Sequence, residues 1–118
     1  MARWLYGNDL FVNPIAVTWH GKPPNDEDLR LLAQLRHLRR LSLAGVPVND
    51  MYLSKLAQLE RLEELDLHAT AITDKGLAQF PNLPNLKRIF LAKTQVSQDG
   101  INKLRQRVGR VPTLSISW

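Results

Sequence analysis

Ser42, Asp66 and His68 are the residue types of a nucleophile, an acid and a base. Asp66 and His68 are two residues apart, so a strand would put them on one face, and Ser42 lies 24 residues before Asp66. A hydrolytic relay also needs donors for an oxyanion and a pocket that excludes water. No stretch here supplies either, so these three are read as surface residues and no catalytic residue is assigned. His20 and His68 fall two repeats apart, roughly 10 Å at strand spacing, too far to share one metal ion. The chain has no cysteine, which removes thiolate nucleophiles, disulfides and cysteine metal sites. No metal or cofactor is expected. Gly76 and Gly100 stand outside any G-x-G-x-x-G or Walker pattern and are read as permitting close packing at a helix start. Lys103, Arg105, Arg107 and Arg110 form a basic run, which could serve nucleic acid or an anionic surface. No aromatic is interleaved for base stacking, and cations are favourable near a helix C-terminus, so a solvated helix face is the preferred reading.

The elements that position these residues come from a repeat. Val17, Leu41, Leu65 and Ile89 are spaced 24 residues apart, and so are Trp19, Leu43, Leu67 and Leu91. Leu29, Leu53, Leu77 and Ile101 keep the same interval, as do Leu32, Leu56, Phe80 and Leu104. Around Leu65 and Leu67, apolar residues alternate with Glu64, Asp66 and His68, the pattern of a strand with one buried face. Asn25, Asn49, Thr73 and Ser97 precede the helical segments, and all are N-cap types. Acids follow in each first turn, at Asp26, Glu27, Asp28, Asp50, Asp74 and Asp99, where the helix dipole favours them. Apolar steps of three, as in Leu53, Leu56 and Leu59, give each helix an inward stripe. Pro81 and Pro84 should end the third helix early. Gly109 is placed as the stop of a final helix spanning Gln98 to Val108. Trp4, Leu5, Leu10 and Phe11 are read as an N-terminal cap over the core. Val111 to Ile116 is read as a fifth strand, one residue late.

At 118 residues the chain is expected to be one domain with a sizeable core. Its net charge of +5 implies mild affinity for acidic surfaces. Gly7, Asn8 and Asp9 interrupt the first apolar run, so no signal peptide is expected. No window reaches the roughly 18 apolar residues of a membrane span. A cytoplasmic location is expected.

These residues resemble the leucine-rich-repeat family over about Val17 to Ile116. Ile72-Thr73-Asp74-Lys75-Gly76-Leu77 is similar to the I-T-D-x-G-L motif of bacterial repeat arrays, shared with the cysteine-containing subtype of F-box proteins. Val96 to Ile101 is a drifted copy and Val48 to Leu53 a weaker one. Thr70 and Thr94 stand where that subtype has cysteine and others have a bonding asparagine ladder between coils; threonine is expected to make part of such a ladder, and Val46 cannot join it. The resemblance implies an α/β right-handed solenoid, a short horseshoe with about five parallel strands on the concave face and helices on the convex face. The expected layout is a cap over 1–14, four repeats over 15–110 and a terminal strand over 111–118. It also implies a non-enzymatic module that binds a protein partner through its concave face.

Residues alternating with the buried leucines form the rows of that face. The central row is Thr18, Ser42, Asp66, Phe90 and Ser115. One side row is Ala16, Arg40, Glu64, Arg88 and Thr113; the other is His20, Ala44, His68, Ala92 and Ser117. Asp66, Phe90 and Arg88 are the leading contact candidates, followed by Glu64, His68 and Arg40. The row Arg40, Glu64, Arg88 also reads as a self-neutralising surface ladder. A second possibility is homo-oligomerisation through the last strand, using Leu114, Ile116 and Trp118, because an uncovered sheet edge can pair with another chain. Binding of nucleic acid through the basic last helix is the least favoured alternative.

Overall fold

The structure, a computed structural model, describes residues 16–107 and 115–118. Five strands form one parallel sheet in sequence order, β1-β2-β3-β4-β5. They are β1 (Ala16–Thr18), β2 (Arg40–Ser42), β3 (Glu64–Asp66), β4 (Arg88–Phe90) and β5 (Ser115–Ser117). Each central residue points inward: Val17, Leu41, Leu65, Ile89 and Ile116 are all buried. Parallel neighbours require a crossover of a dozen or more residues. Here each crossover contains a helix.

The helices are α1 (Asp26–Ala33), α2 (Asp50–Leu53), α3 (Asp74–Ala78) and α4 (Gln98–Arg107). Leu29, Leu32, Leu53, Leu56, Leu77, Phe80, Ile101 and Leu104 join the strand residues in one buried cluster. The sheet thus has its apolar face against the helix layer and its other face toward solvent. α2 is only one turn long, and Ser54–Gln58 continues it as a 3-10 helix. That matches the three-residue steps of Leu53, Leu56 and Leu59, which suit three residues per turn better than 3.6. α3 stops at Ala78 with Gln79 as its C-cap, ahead of Pro81 and Pro84.

The caps differ in quality. Asn25 accepts from the Asp28 N–H while the Asp28 side chain accepts from the Asn25 N–H, a reciprocal capping box. Thr73 accepts from the Lys75 N–H, and Ser97 from the Gly100 N–H. Asn49 makes no side-chain cap bond, against the expectation from its residue type. One residue beyond His20, Ala44, His68 and Ala92, the chain turns with positive φ: Gly21 at 84°, Gly45 at 73°, Ala69 at 56° and Lys93 at 58°. Glycine occupies the first two of these left-handed positions without steric penalty, whereas Ala69 and Lys93 bear one.

Two expectations require correction. β5 is not one residue late: Ile89 pairs with Ile116 and Phe90 with Ser117. The central row therefore ends in Ser117 rather than Ser115, and Ser115 takes the side row beside Arg88. The last crossover also carries the longest helix, α4, ten residues against five in α3. Thr70 and Thr94 do not bond between neighbouring repeats either. Each donates to a carbonyl three residues back, on Leu67 at 2.7 Å and Leu91 at 2.6 Å. A threonine side chain is shorter than asparagine and closes onto its own turn. The expected N-terminal cap, Val108, Gly109, Arg110 and the segment Val111 to Leu114 lie outside the described residues.

Candidate binding face

The outward residues of the three-residue strands build the exposed sheet face, and the register sets their neighbours. Arg40 pairs with Glu64 and Glu64 with Arg88; Ser42 pairs with Asp66 and Asp66 with Phe90. All six expected contact residues lie here or one step beyond it, with His68 just past β3. Glu64 bridges both flanking arginines: Oε2 is 2.9 Å from Arg40 Nε and Oε1 is 2.9 Å from Arg88 Nη1. The arginines are 57% and 62% exposed and Glu64 only 20%. The ladder exists as expected, with its cations standing proud of its carboxylate.

A second ladder runs beside it. Glu63 lies 3.1 Å from Arg39 Nε and 3.4 Å from Lys87 Nζ. Sequence reasoning passed over it because these residues precede the alternating stretch. Their 24-residue interval was the available signal. Both ladders hold two cations for one carboxylate. Exposed pairs of this kind contribute little to stability, about 0 to 1 kcal/mol each.

Asp66 is held by its surroundings. Its Oδ1 accepts the His68 backbone N–H at 2.9 Å, and Oδ2 lies 3.5 Å from Ser42 Oγ. The contact to His68 is through the main chain rather than the imidazole, so Ser42, Asp66 and His68 are neighbours without forming a proton relay. Phe90 is half-buried on the same face. Among the described residues, no group of three or more His, Asp or Glu is placed to hold a metal ion.

The glycines of the motif have a different function from any loop chemistry. Asp50 accepts from the Thr73 N–H at 2.7 Å and from the Thr73 hydroxyl at 2.5 Å. Asp74 repeats this on Ser97, at 2.8 and 2.5 Å. A Cβ on Gly76 would come 2.2 Å from Asp50 Oδ1, and one on Gly100 would come 2.1 Å from Asp74 Oδ1. Each aspartate thus caps the next helix start in the space that glycine leaves. The two Ser97 bonds, with Lys103 assisting, hold the Asp74 carboxyl below its usual range despite slight desolvation. Tyr52 stands where the second repeat would have this glycine. Its hydroxyl donates to the Pro24 carbonyl at 2.6 Å, and burial, followed by nearby Asp28 and Asp26, raises its pKa well above the usual tyrosine value.

The basic last helix is partly engaged. Arg107 donates to the Ala78 carbonyl and, at 2.5 Å, to the Phe80 carbonyl, so it caps the end of α3. Lys103 pairs with Asp99 at 3.0 Å. Between α3 and α4 lies an open groove of about 370 Å³, bordered by Leu77, Leu104, Lys75 and Lys103. Elsewhere, Met51 is 79% and Trp118 49% exposed. Among the described residues, no helix is long and apolar enough to cross a membrane. The chain matches no protein-family model, and no match to a curated protein was found.

Proposed function

We propose that the chain is a leucine-rich-repeat solenoid that binds a protein partner through the concave face of its strands and catalyses no reaction. The observation that carries this reading is the solvent-facing parallel sheet with Phe90 set among charged and polar side chains. An aromatic in such a row can anchor a partner by burying apolar area, while neighbouring charges set orientation. The 24-residue columns and the I-T-D-x-G-L stretch at Ile72 to Leu77 support the solenoid assignment. Arg88, Phe90 and Asp66 are the central contacts, with Arg40, Glu64 and His68 around them.

A pull-down comparing the native chain with Phe90→Ala and Asp66→Ala tests it, with melting curves verifying that each variant folds. Loss of a specific partner from both is the expected result; retention of every partner by both variants rejects the assignment. Self-association through β5 is the second reading, favoured by the exposure of Trp118. Light scattering that shows a monomer across a concentration series removes it. Nucleic-acid binding through α4 is weakened by the engagement of Arg107 and Lys103.

A further inference from the structure

Glu64 and Glu63 each sit between two cations, and Arg40 and Arg88 reach further into solvent than the Glu64 carboxylate they share, as Lys87 does beyond Glu63. Arg40 uses Nε on Glu64 and Arg88 uses Nη1, so each guanidinium keeps further N–H donors for a second acceptor. A guanidinium fork matches a carboxylate in paired, charge-assisted hydrogen bonds. Arg40 and Arg88 stand two strands apart, roughly 10 Å at sheet spacing. Phe90 is two residues beyond Arg88 and shares its face. The geometry points to an acidic, extended segment of a partner protein as the ligand: two carboxylates received by Arg40 and Arg88, and an apolar side chain seated on Phe90. This rests on the reading of the sheet face as a protein-binding surface.

The spacing selects the segment. In a polyproline II conformation, residues i and i+3 share one face and lie about 9 Å apart, close to the separation of the two arginines. A neutral stretch between the two acids then crosses Glu64. A nucleic-acid backbone fits less well, because it carries a charge at every nucleotide and would set phosphates against Glu64 and Asp66. Arg39 and Lys87 extend the positive excess along the edge where the strands begin, which would steer an acidic chain toward this side.

Fluorescence anisotropy on the full chain tests the inference. The probe is a short labelled peptide on a proline–alanine background, with glutamates three residues apart and a leucine beside one of them. Saturable, salt-sensitive binding is expected. Affinity should fall by about tenfold or more when both glutamates become glutamine, or in Arg40→Gln/Arg88→Gln. Glu64→Gln should strengthen binding, because it removes the internal anion that competes for both arginines. The idea is overturned if the glutamate peptide does not bind, if the glutamine peptide binds equally well, or if the arginine variant binds unchanged. Competition by oligothymidylate as effective as the peptide also overturns it, in favour of nucleic acid. A partner lost in Phe90→Ala while the glutamate peptide stays inert rejects the acidic ligand alone. A partner retained through Phe90→Ala and Asp66→Ala rejects the surface itself.

Discussion

The carboxylate of Asp50 grips both the backbone N–H and the hydroxyl of Thr73, 23 residues away, in the place a Cβ on Gly76 would occupy. Residues of two successive copies of the motif are thereby coupled across two helix starts. Asp50→Ala removes two charge-assisted bonds and should destabilise the chain by about 1 to 2 kcal/mol. Gly76→Ala should also destabilise, because the new methyl displaces Asp50. In the Asp50→Ala background the carboxylate is gone and the new methyl meets only the Cβ of residue 50, at 3.1 Å. Alanine should then cost far less, close to neutral, because its better helix propensity of up to about 1 kcal/mol offsets that tight contact. Urea unfolding of the four proteins gives the coupling. Additive effects would show that Gly76 is not there for Asp50.

The turn after each strand permits a matched pair of substitutions. Gly45 has φ of 73° and nothing within 4 Å of a built Cβ, so Gly45→Ala introduces left-handed strain without a clash. A loss of about 1 kcal/mol is expected. Ala69 occupies the same turn position one repeat later at φ of 56°. Ala69→Gly should relieve the strain and raise stability by about 0.5 kcal/mol, after the added entropy of the unfolded chain is subtracted. Opposite shifts in thermal midpoint are the readout.

How much of this was legible depended on periodicity. The buried columns through Leu41 and Leu29 each repeat an apolar residue at one interval, so strands, helices and their order could be read directly. The sheet rows followed up to β4 because the crossovers keep that interval. β5 broke the rule: an interval carries no information about a crossover that departs from the repeat, as the last one does in pairing Ile89 with Ile116. The Arg40, Glu64, Arg88 ladder was visible for the same reason as the leucines. The link from Asp50 to Thr73 was not, since Asp50 is equally well explained by the helix dipole of its own helix. Whether Arg107 faced solvent or the α3 carbonyls was likewise a matter of helix packing that charge patterning does not encode.

Arg107 and Lys103 lie on one helix and should behave differently. Arg107 donates to two carbonyls at the end of α3, and a helix C-terminus favours a cation there. Arg107→Ala should destabilise by about 1 to 2 kcal/mol and loosen the contact of α3 with α4. Lys103→Ala breaks an exposed i,i+4 pair with Asp99 and should cost about 0.5 kcal/mol or less. Hydrogen exchange at the α3 amides separates the two, with faster exchange expected for Arg107→Ala alone.

Asp74 gives a response on the acid side. Its carboxyl is held below the ordinary value of 3.8 by Ser97, first through the hydroxyl and then through the backbone N–H. A carboxyl that binds its proton less readily when folded contributes stability above its unfolded pKa. That contribution disappears as pH falls through the lower folded value. Stability measured by denaturant should therefore drop below about pH 4. Asp74→Asn should start lower and lose less over that range; an identical acid profile would mean that Asp74 is not bonded to Ser97 in solution.

Tyr52 acts at the opposite end of the scale. Its phenol is buried, donates to the Pro24 carbonyl and has Asp28 and Asp26 nearby, so it holds its proton more tightly than in the unfolded chain. A raised pKa contributes stability in full below the unfolded value of about 10, and that stability is lost as pH rises above it. Tyr52→Phe keeps the ring in place but leaves the Pro24 carbonyl without this donor, a loss of about 1 to 2 kcal/mol at neutral pH. Above about pH 10 the native chain must either ionise a buried phenol or unfold, while the phenylalanine variant has no such group. The stability gap between the two should therefore narrow with alkalinity. A gap that stays constant from pH 8 to 11, measured by urea unfolding, would place the hydroxyl of Tyr52 in solvent rather than on Pro24.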